Sequence, residues 1–204
     1  MVKVKICGLR RPEDIEAANL AKPDYVGFIF VPGTKRYVAP DQAAQFRKDL
    51  DADIQTVGVF VNAPIEEVVA ICEAGTIDVV QLHGDEDQAY IDDLKGQVDQ
   101  EIIKSVAVGD DLAVEDKQAD YVLFDSLSPN RGGSGKTFNW EMVSAYTDKP
   151  FFLAGGLGVE NIEAALKVVR PYAVDASSSL ETDGVKDPVK MQEFVAKIWE
   201  VTHD

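Results

Sequence analysis

The sequence predicts a parallel (β/α)8 barrel on two observations. Short runs rich in Val, Ile and Phe alternate from end to end with segments whose apolar residues recur at helical spacing. Eight such units follow one another with no Pro/Ser linker, low-complexity tract or obvious repeat. At 204 residues and 46% hydrophobic content the chain is sized for one full core, so a single domain over 1–204 is expected. A length below the roughly 250 residues typical of a TIM barrel requires short helices and loops. An open doubly wound sheet is the alternative, but its Gly-rich first turn has no counterpart in "CGLRRP".

The first strand is expected near 2–7. There the alternation of "VKVKIC" sets Val2, Val4 and Ile6 toward the helices and Lys3, Lys5 and Cys7 toward the barrel interior. The second is expected near 25–30, the third near 55–61 and the fourth near 78–83. Between the last two, "PIEEVVAICEAG" places Ile65, Val68, Val69 and Cys72 on one face of a helix that begins after a proline. The fifth and sixth strands are expected near 101–106 and 121–125, and in "YVLFD" Asp125 shares the inward face with Tyr121 and Leu123. Strands near 151–155 and 172–175 complete the eight. The last helix is read from "PVKMQEFVAKIW", with Met191, Phe194, Val195 and Ile198 on its apolar face.

Composition excludes several classes of partner. A net charge of -16 and a pI near 4.4 argue against nucleic acid and anionic membranes, and require any anionic ligand to be held by local positive groups. The longest apolar stretch, Tyr25 to Val31, is far short of the roughly 18 residues of a membrane span, and the first residues lack the apolar core of a leader. A cytoplasmic protein is expected, with Cys7 and Cys72 as free thiols and no obligate protein partner evident.

In a barrel the chemistry sits where the strands end. Those ends carry Cys7 after strand 1, Arg36 in the loop after strand 2, His83 after strand 4, Asp125 after strand 6, Gly155 and Gly156 after strand 7, and Asp175 after strand 8. Inward parity lets Cys7 and Asp125 face one mouth from opposite sides. Cys72, in mid-helix on an apolar face, reads as an ordinary core thiol.

These segments carry a resemblance. "KICGLR", "GFIFVPGTKRYV", "VGVFVN", "VVQLHGDE", "LFDS", "GGSGKTFNW", "LAGGL" and "VDASSSLE" occur in this order over almost the whole chain, which closely resembles phosphoribosylanthranilate isomerases of tryptophan synthesis. The resemblance implies an Amadori rearrangement of N-(5-phosphoribosyl)anthranilate to 1-(2-carboxyphenylamino)-1-deoxyribulose 5-phosphate, without metal or organic cofactor. It implies Asp125 as general acid, Cys7 as general base and Arg36 as the group that holds the anthranilate carboxylate. A small-molecule substrate carrying phosphate and carboxylate is therefore expected. His83 either helps position that substrate or is a satisfied structural histidine, with Gln81 on the same face as its partner. Phosphate is expected where the loops after strands 7 and 8 meet, at Gly155, Gly156, Ser177 and Ser178, with Asp175 placed to accept sugar hydroxyls.

One stretch suggests another class. "NRGGSGKT" ends like a nucleotide-binding loop, but the position needing the first glycine is Asn130. Residues 127–138 therefore read as a lid with Gly132, Gly133 and Gly135 as hinges, and with Lys136 either touching phosphate or solvated. Two positions depart from the family pattern. Ser179 stands where glycine is usual, which would strain the chain if that turn needs positive φ, and Lys35 stands where proline is usual, which would loosen the loop presenting Arg36. Two other functions are weighed. A related sugar isomerase of histidine synthesis resembles a design with a carboxylate, not Cys7, at the end of strand 1; a non-catalytic phosphometabolite-binding barrel would have no need of both Cys7 and Asp125. Finally, Lys5 shares the inward face of strand 1 with Cys7. Tethered to an inward carboxylate, it either helps hold the thiol ionised or belongs to a purely structural pair.

Overall fold

Alternating strand and helix segments close on themselves in a computed structural model that describes residues 1–109, 114, 118–126 and 137–203. The barrel strands are β1 (Lys3–Cys7), β2 (Tyr25–Ile29), β3 (Gln55–Phe60), β4 (Val79–Leu82), β5 (Glu101–Val108), β6 (Tyr121–Ser126), β7 (Phe151–Leu153) and β8 (Ala173–Ala176). All pairings are parallel and follow chain order, and β8 returns to β1 with Lys5 opposite Asp175. The helices are α1 (Pro12–Ala21), α2 (Pro40–Asp49), α3 (Ile65–Glu73), α4 (Gln88–Lys95), the single turn α5 (Glu141–Ser144), α6 (Ile162–Val168) and α7 (Pro188–His203). Among the described residues no helix is long and apolar enough to cross a membrane. Residues 127–136, most of the expected lid and all of its glycines and Lys136, lie outside the described residues.

Period-2 alternation divides the core into two shells. Val4, Ile6, Val26, Phe28, Val80, Leu82 and Phe124 point outward into the shell shared with the helices. Tyr25, Val57, Val79, Ile103, Leu123, Phe152 and Ala173 point inward. Each large side chain so buried contributes about 1.5–3 kcal/mol. Tyr25, Tyr121, Phe152 and Tyr172 pack edge-to-face or tilted at the N-terminal end, and Lys3 Nζ lies 5.3 Å from the centres of both Tyr25 and Tyr172. This aromatic floor fills the lower barrel and leaves the C-terminal mouth as its polar end.

The expected helix faces are largely observed. α7 buries Met191, Phe194, Val195 and Ile198. On α3, however, the buried set is Val68, Ile71 and Cys72, with Ile65 and Val69 only partly covered. β7 ends at Leu153, two residues before the expected limit, so Gly155 and Gly156 belong wholly to its loop. An element not foreseen lies between β8 and α7: a 3-10 turn (Ser178–Leu180) followed by a hairpin of β9 (Glu181–Thr182) and β10 (Val185–Lys186). Asp183 and Gly184 turn that hairpin, both with positive φ, as a two-residue type I′ connection requires.

The loop leaving β1 is tied down by one buried carboxylate. Asp14, in the first turn of α1, accepts the backbone N–H groups of Arg10 (3.0 Å) and Arg11 (3.1 Å), and also Arg11 Nε (3.0 Å) and Nη2 (2.7 Å). Replacing it leaves partly buried donors without an acceptor. Asp14→Ala is expected to lower stability by about 2–3 kcal/mol, the scale of charged hydrogen bonds, and Asp14→Asn by less, both read from urea midpoints at constant slope.

Candidate active site

Cys7 ends β1 on the inward face and is 7% exposed. Gly27 is its register partner on β2, where a Cβ would stand 2.7 Å from Cys7 Sγ. Glycine there makes the room that the thiol occupies. One step down the strand, Lys5 is fully buried and its Nζ meets Asp175 Oδ2 at 2.9 Å. Asp175 Oδ1 is buried with no hydrogen-bond partner among the described residues.

The thiol lies among opposing fields. Burial pushes the Cys7 thiol up, Lys5 and Lys186 pull it down and Asp175 pushes it up; the balance lies above the ordinary thiol value. Burial pulls Lys5 down, but Asp175 and Cys7 outweigh it and hold the ammonium above its ordinary value. The expected tether of Lys5 to an inward carboxylate is thus present, while the resting sulfur favours the protonated form.

Asp125 belongs to β6, three strands from β1 round the barrel. Its Oδ1 accepts the N–H of Ser126 at 2.8 Å, and its Oδ2 lies 3.4 Å from His83 Nε2. On the other side of the ring Gln81 Nε2 lies 3.0 Å from His83 Nδ1 and 3.3 Å from Ser105 Oγ. With the amide donating to Nδ1, the proton of a neutral ring sits on Nε2, facing the carboxylate. His83 therefore stands between Asp125 and Gln81, with Gln81 as the partner expected of it. The loop carrying His83 is held from outside the barrel. Glu86 accepts Gly84 N (2.8 Å), Asn62 N (2.6 Å) and Lys104 Nζ (2.9 Å).

Arg36, expected to hold a substrate carboxylate, is paired with a carboxylate of the chain itself. Its Nε and Nη2 meet the two oxygens of Glu181 at 2.6 and 2.9 Å, a side-on fork that leaves the Nη1/Nη2 edge for a second carboxylate. Burial pushes the Glu181 carboxyl up, but bonds to Arg36 and the charge of Lys186 overcome it and hold it at about 2. The loop presenting Arg36 is hydrogen-bonded on both sides of Lys35. Thr34 Oγ1 bonds Val31 O, Tyr37 N bonds Thr34 O, and Val38 N bonds Ile29 O, so turns brace both sides of that exposed lysine.

At the meeting of the loops after β7 and β8, Gly155 and Gly156 adopt φ of 84° and 65°. A Cβ on Gly155 would also lie 2.8 Å from Ser126 N, so two independent constraints require glycine there. Ser178 opens the 3-10 turn. The Ser177 hydroxyl is turned inward and donates to Cys7 O at 2.9 Å, so its own bond braces the end of β1. Ser179 has no positive φ, so the expected strain is absent; its hydroxyl donates to Leu157 O and links the two loops. Glu181 and Lys186 are the functional neighbours that local reading missed. The Asp-Gly pair was the available signal for the hairpin that carries them. Cys72 is buried in the outer shell, where burial and Glu73 push its thiol up to about 11. Among the described residues no group of three or more His, Cys, Asp or Glu is arranged to hold a metal ion.

Known proteins share this sequence pattern and this fold. The sequence profile described as N-(5'phosphoribosyl)anthranilate (PRA) isomerase matches residues 4–197. The N-(5'-phosphoribosyl)anthranilate isomerase of Endomicrobium trichonymphae is 50% identical over 196 residues, covering 96% of this chain and 97% of that protein. That of Thermoanaerobacter sp. strain X514 is 48% identical over 203 residues, covering 97% and 98%. Among solved structures, the phosphoribosyl anthranilate isomerase of Thermus thermophilus superposes with a TM-score of 0.87 at 32% identity over 98% of this chain and 100% of that one. A phosphoribosyl anthranilate isomerase in complex with reduced 1-(o-carboxyphenylamino)-1-deoxyribulose 5-phosphate superposes with a TM-score of 0.82 at 30% identity, with coverage of 98% and 100%.

The charges facing Cys7 come from Lys5 on β1, Asp175 on β8, Lys186 on β10 and Arg36 after β2. Loss of a cation disfavours the thiolate, so the alkylation midpoint of Cys7 should rise in Lys5→Met. It should rise less in Lys5→Met/Asp175→Asn, which deletes opposing charges together. Iodoacetamide rates against pH, read on the Cys7 peptide by mass spectrometry, check this; coincident wild-type and Lys5→Met curves would assign the local field to Lys186 and Arg36.

Proposed function

The chain belongs to the N-(5'-phosphoribosyl)anthranilate isomerase family, and we propose that it carries out the Amadori rearrangement of that substrate with Cys7 as base and Asp125 as acid. The observation that carries this reading is that both side chains lie at the ends of inward-facing strand positions around one polar mouth. Protonated Asp125 gives its proton to the ribose ring oxygen as the C1–O bond breaks, and the nitrogen lone pair forms the C1=N bond. Cys7, as thiolate, takes the C2 proton; the C2–H pair becomes C1=C2, and the C=N π pair returns to nitrogen. The enolamine then gains a proton at C1 and loses one from the C2 hydroxyl, giving the ketone with no net change in electrons.

The remaining groups bind. The Nη1/Nη2 edge of Arg36 suits the anthranilate carboxylate, and Asp175 Oδ1, buried without a partner, suits a sugar hydroxyl. The relative solved with a deoxyribulose 5-phosphate bound supports a phosphate-bearing small molecule as ligand. For that phosphate we assign Gly155, Gly156, Ser177 and Ser178, chiefly through backbone N–H groups, because the Ser177 hydroxyl already donates to Cys7 O. His83 contributes by orienting Asp125. The acidic net charge of -16 fits a partner that is neither nucleic acid nor anionic membrane, and the two free thiols fit a reducing cytoplasm.

The decisive assay supplies freshly made phosphoribosylanthranilate and follows the loss of its fluorescence. Cys7→Ala and Asp125→Asn should each remain folded and lower kcat by about 10²-fold or more; near-normal turnover in either removes it from its role. Arg36→Met should act chiefly on KM. A lost charged contact of about 1.5–3 kcal/mol corresponds to a fall in kcat/KM of about tenfold or more, and an unchanged kcat/KM would leave Arg36 to its pairing with Glu181 alone.

A further inference from the structure

Lys186 reaches the site from outside the eight-stranded barrel. It sits on β10 of the added hairpin, with its side chain 1% exposed. A buried ammonium is unfavourable unless its donors are matched. Lys186 Nζ lies 2.9 Å from Ser177 O, 3.4 Å from Ser177 Oγ and 3.0 Å from Glu181 Oε1. Three partners engage its three donors, leaving none to bind substrate.

Each partner leads to a different functional group. The Ser177 hydroxyl donates to the carbonyl of Cys7, and Ser177 itself begins the loop assigned to phosphate. Glu181 holds Arg36 in its side-on fork. The same corner is packed tightly, for a Cβ on Gly8 would meet Arg36 Cδ at 2.5 Å and Ser177 Oγ at 3.3 Å. The backbone closes the circuit, since Lys186 O accepts from Arg11 Nη2 of the loop that follows Cys7.

We propose that Lys186 is a positioning residue for the isomerisation, a single buried cation that sets the register among the base strand, the carboxylate-binding arginine and the phosphate loop. This rests on the assignment of Cys7 and Arg36 above. A lysine that only stapled the hairpin would need no contact with the residues bracing those two groups. Burial lowers the proton affinity of Lys186 and Glu181 restores part of it, consistent with an ammonium held by its partners rather than by water.

The test compares Lys186→Met, Glu181→Gln and Cys7→Ala in the full chain, each first checked by circular dichroism and melting. In folded Lys186→Met, kcat should fall by about tenfold or more and KM should rise, because both base and clamp lose their common support. In Glu181→Gln the change should fall mainly on KM, by about tenfold, because the Ser177 contacts to Lys186 and Cys7 survive. A folded Lys186→Met with kcat and KM both within about twofold of the unaltered protein overturns the proposal. If Lys186→Met does not fold, Lys186→Gln, which keeps a donor without the charge, decides. A kcat lowered and a KM raised by more than about twofold support the proposal, and both within about twofold overturn it. Cys7→Ala separates this proposal from the assignment beneath it. Full turnover there overturns both, whereas an inactive Cys7→Ala beside an unimpaired Lys186→Met overturns this proposal alone.

Discussion

Closure of the barrel between β8 and β1 is the constraint from which the site follows. The register of that seam sets Lys5 opposite Asp175, and the inward parity of both strands turns the two side chains into one buried pair 2.9 Å apart. A slip of one residue would send Lys5 and Cys7 into the helix shell and bring Val4 and Ile6 inside. Neither Lys5 nor Asp175 is stable alone at that depth, since an isolated buried charge is strongly disfavoured. The pair thus ties the position of the thiol one step above it to the closure of the fold.

The mouth built on that seam gathers cations in a strongly acidic protein. Lys5, Arg36 and Lys186 surround Cys7, and Asp175 and Glu181 are their carboxylate partners among the described residues, against a net charge of -16 for the chain. Placed cations suit a ligand that carries both a carboxylate and a phosphate, and short-range fields in a partly desolvated cleft outweigh a distant, screened surface charge. Burial has the opposite effect on the thiol itself, so the cations moderate a cost that the closed barrel imposes.

What was legible in the sequence was whatever depends on neighbouring residues. Strand positions, and the inward parity of Lys5, Cys7, Tyr121, Leu123 and Asp125, follow from alternation within single runs, and the structure shows them so. The hairpin of β9 and β10 was not read, because two-residue strands give no periodicity. The partner of Arg36 was not read either, because 145 positions separate it from Glu181 and only the folded chain brings them together. Ser179 shows the same limit from the other side. From its position strain was expected there if the turn needed positive φ, whereas in the fold it bonds a carbonyl of the neighbouring loop and keeps a negative φ.

Cys7 and Asp125 occupy different surroundings on one rim, and that difference suits the tasks of base and acid proposed for them. Cys7 is enclosed by glycine space, cations and strand backbone, a setting that makes its sulfur a strong base once it is ionised. Asp125 instead sits in a line of polar contacts running from Ser126 N through the carboxylate and, across 3.4 Å, His83 to Gln81 and Ser105, reaching from β6 to β4 and β5. Those contacts fix the direction of a carboxylate that is buried nearly as deeply as the thiol, at 9% against 7% exposure. An acid that must meet a ring oxygen and a base that must meet a carbon-bound proton need fixed, separate approaches to one substrate, and β1 and β6, three strands apart on a closed circle, provide them.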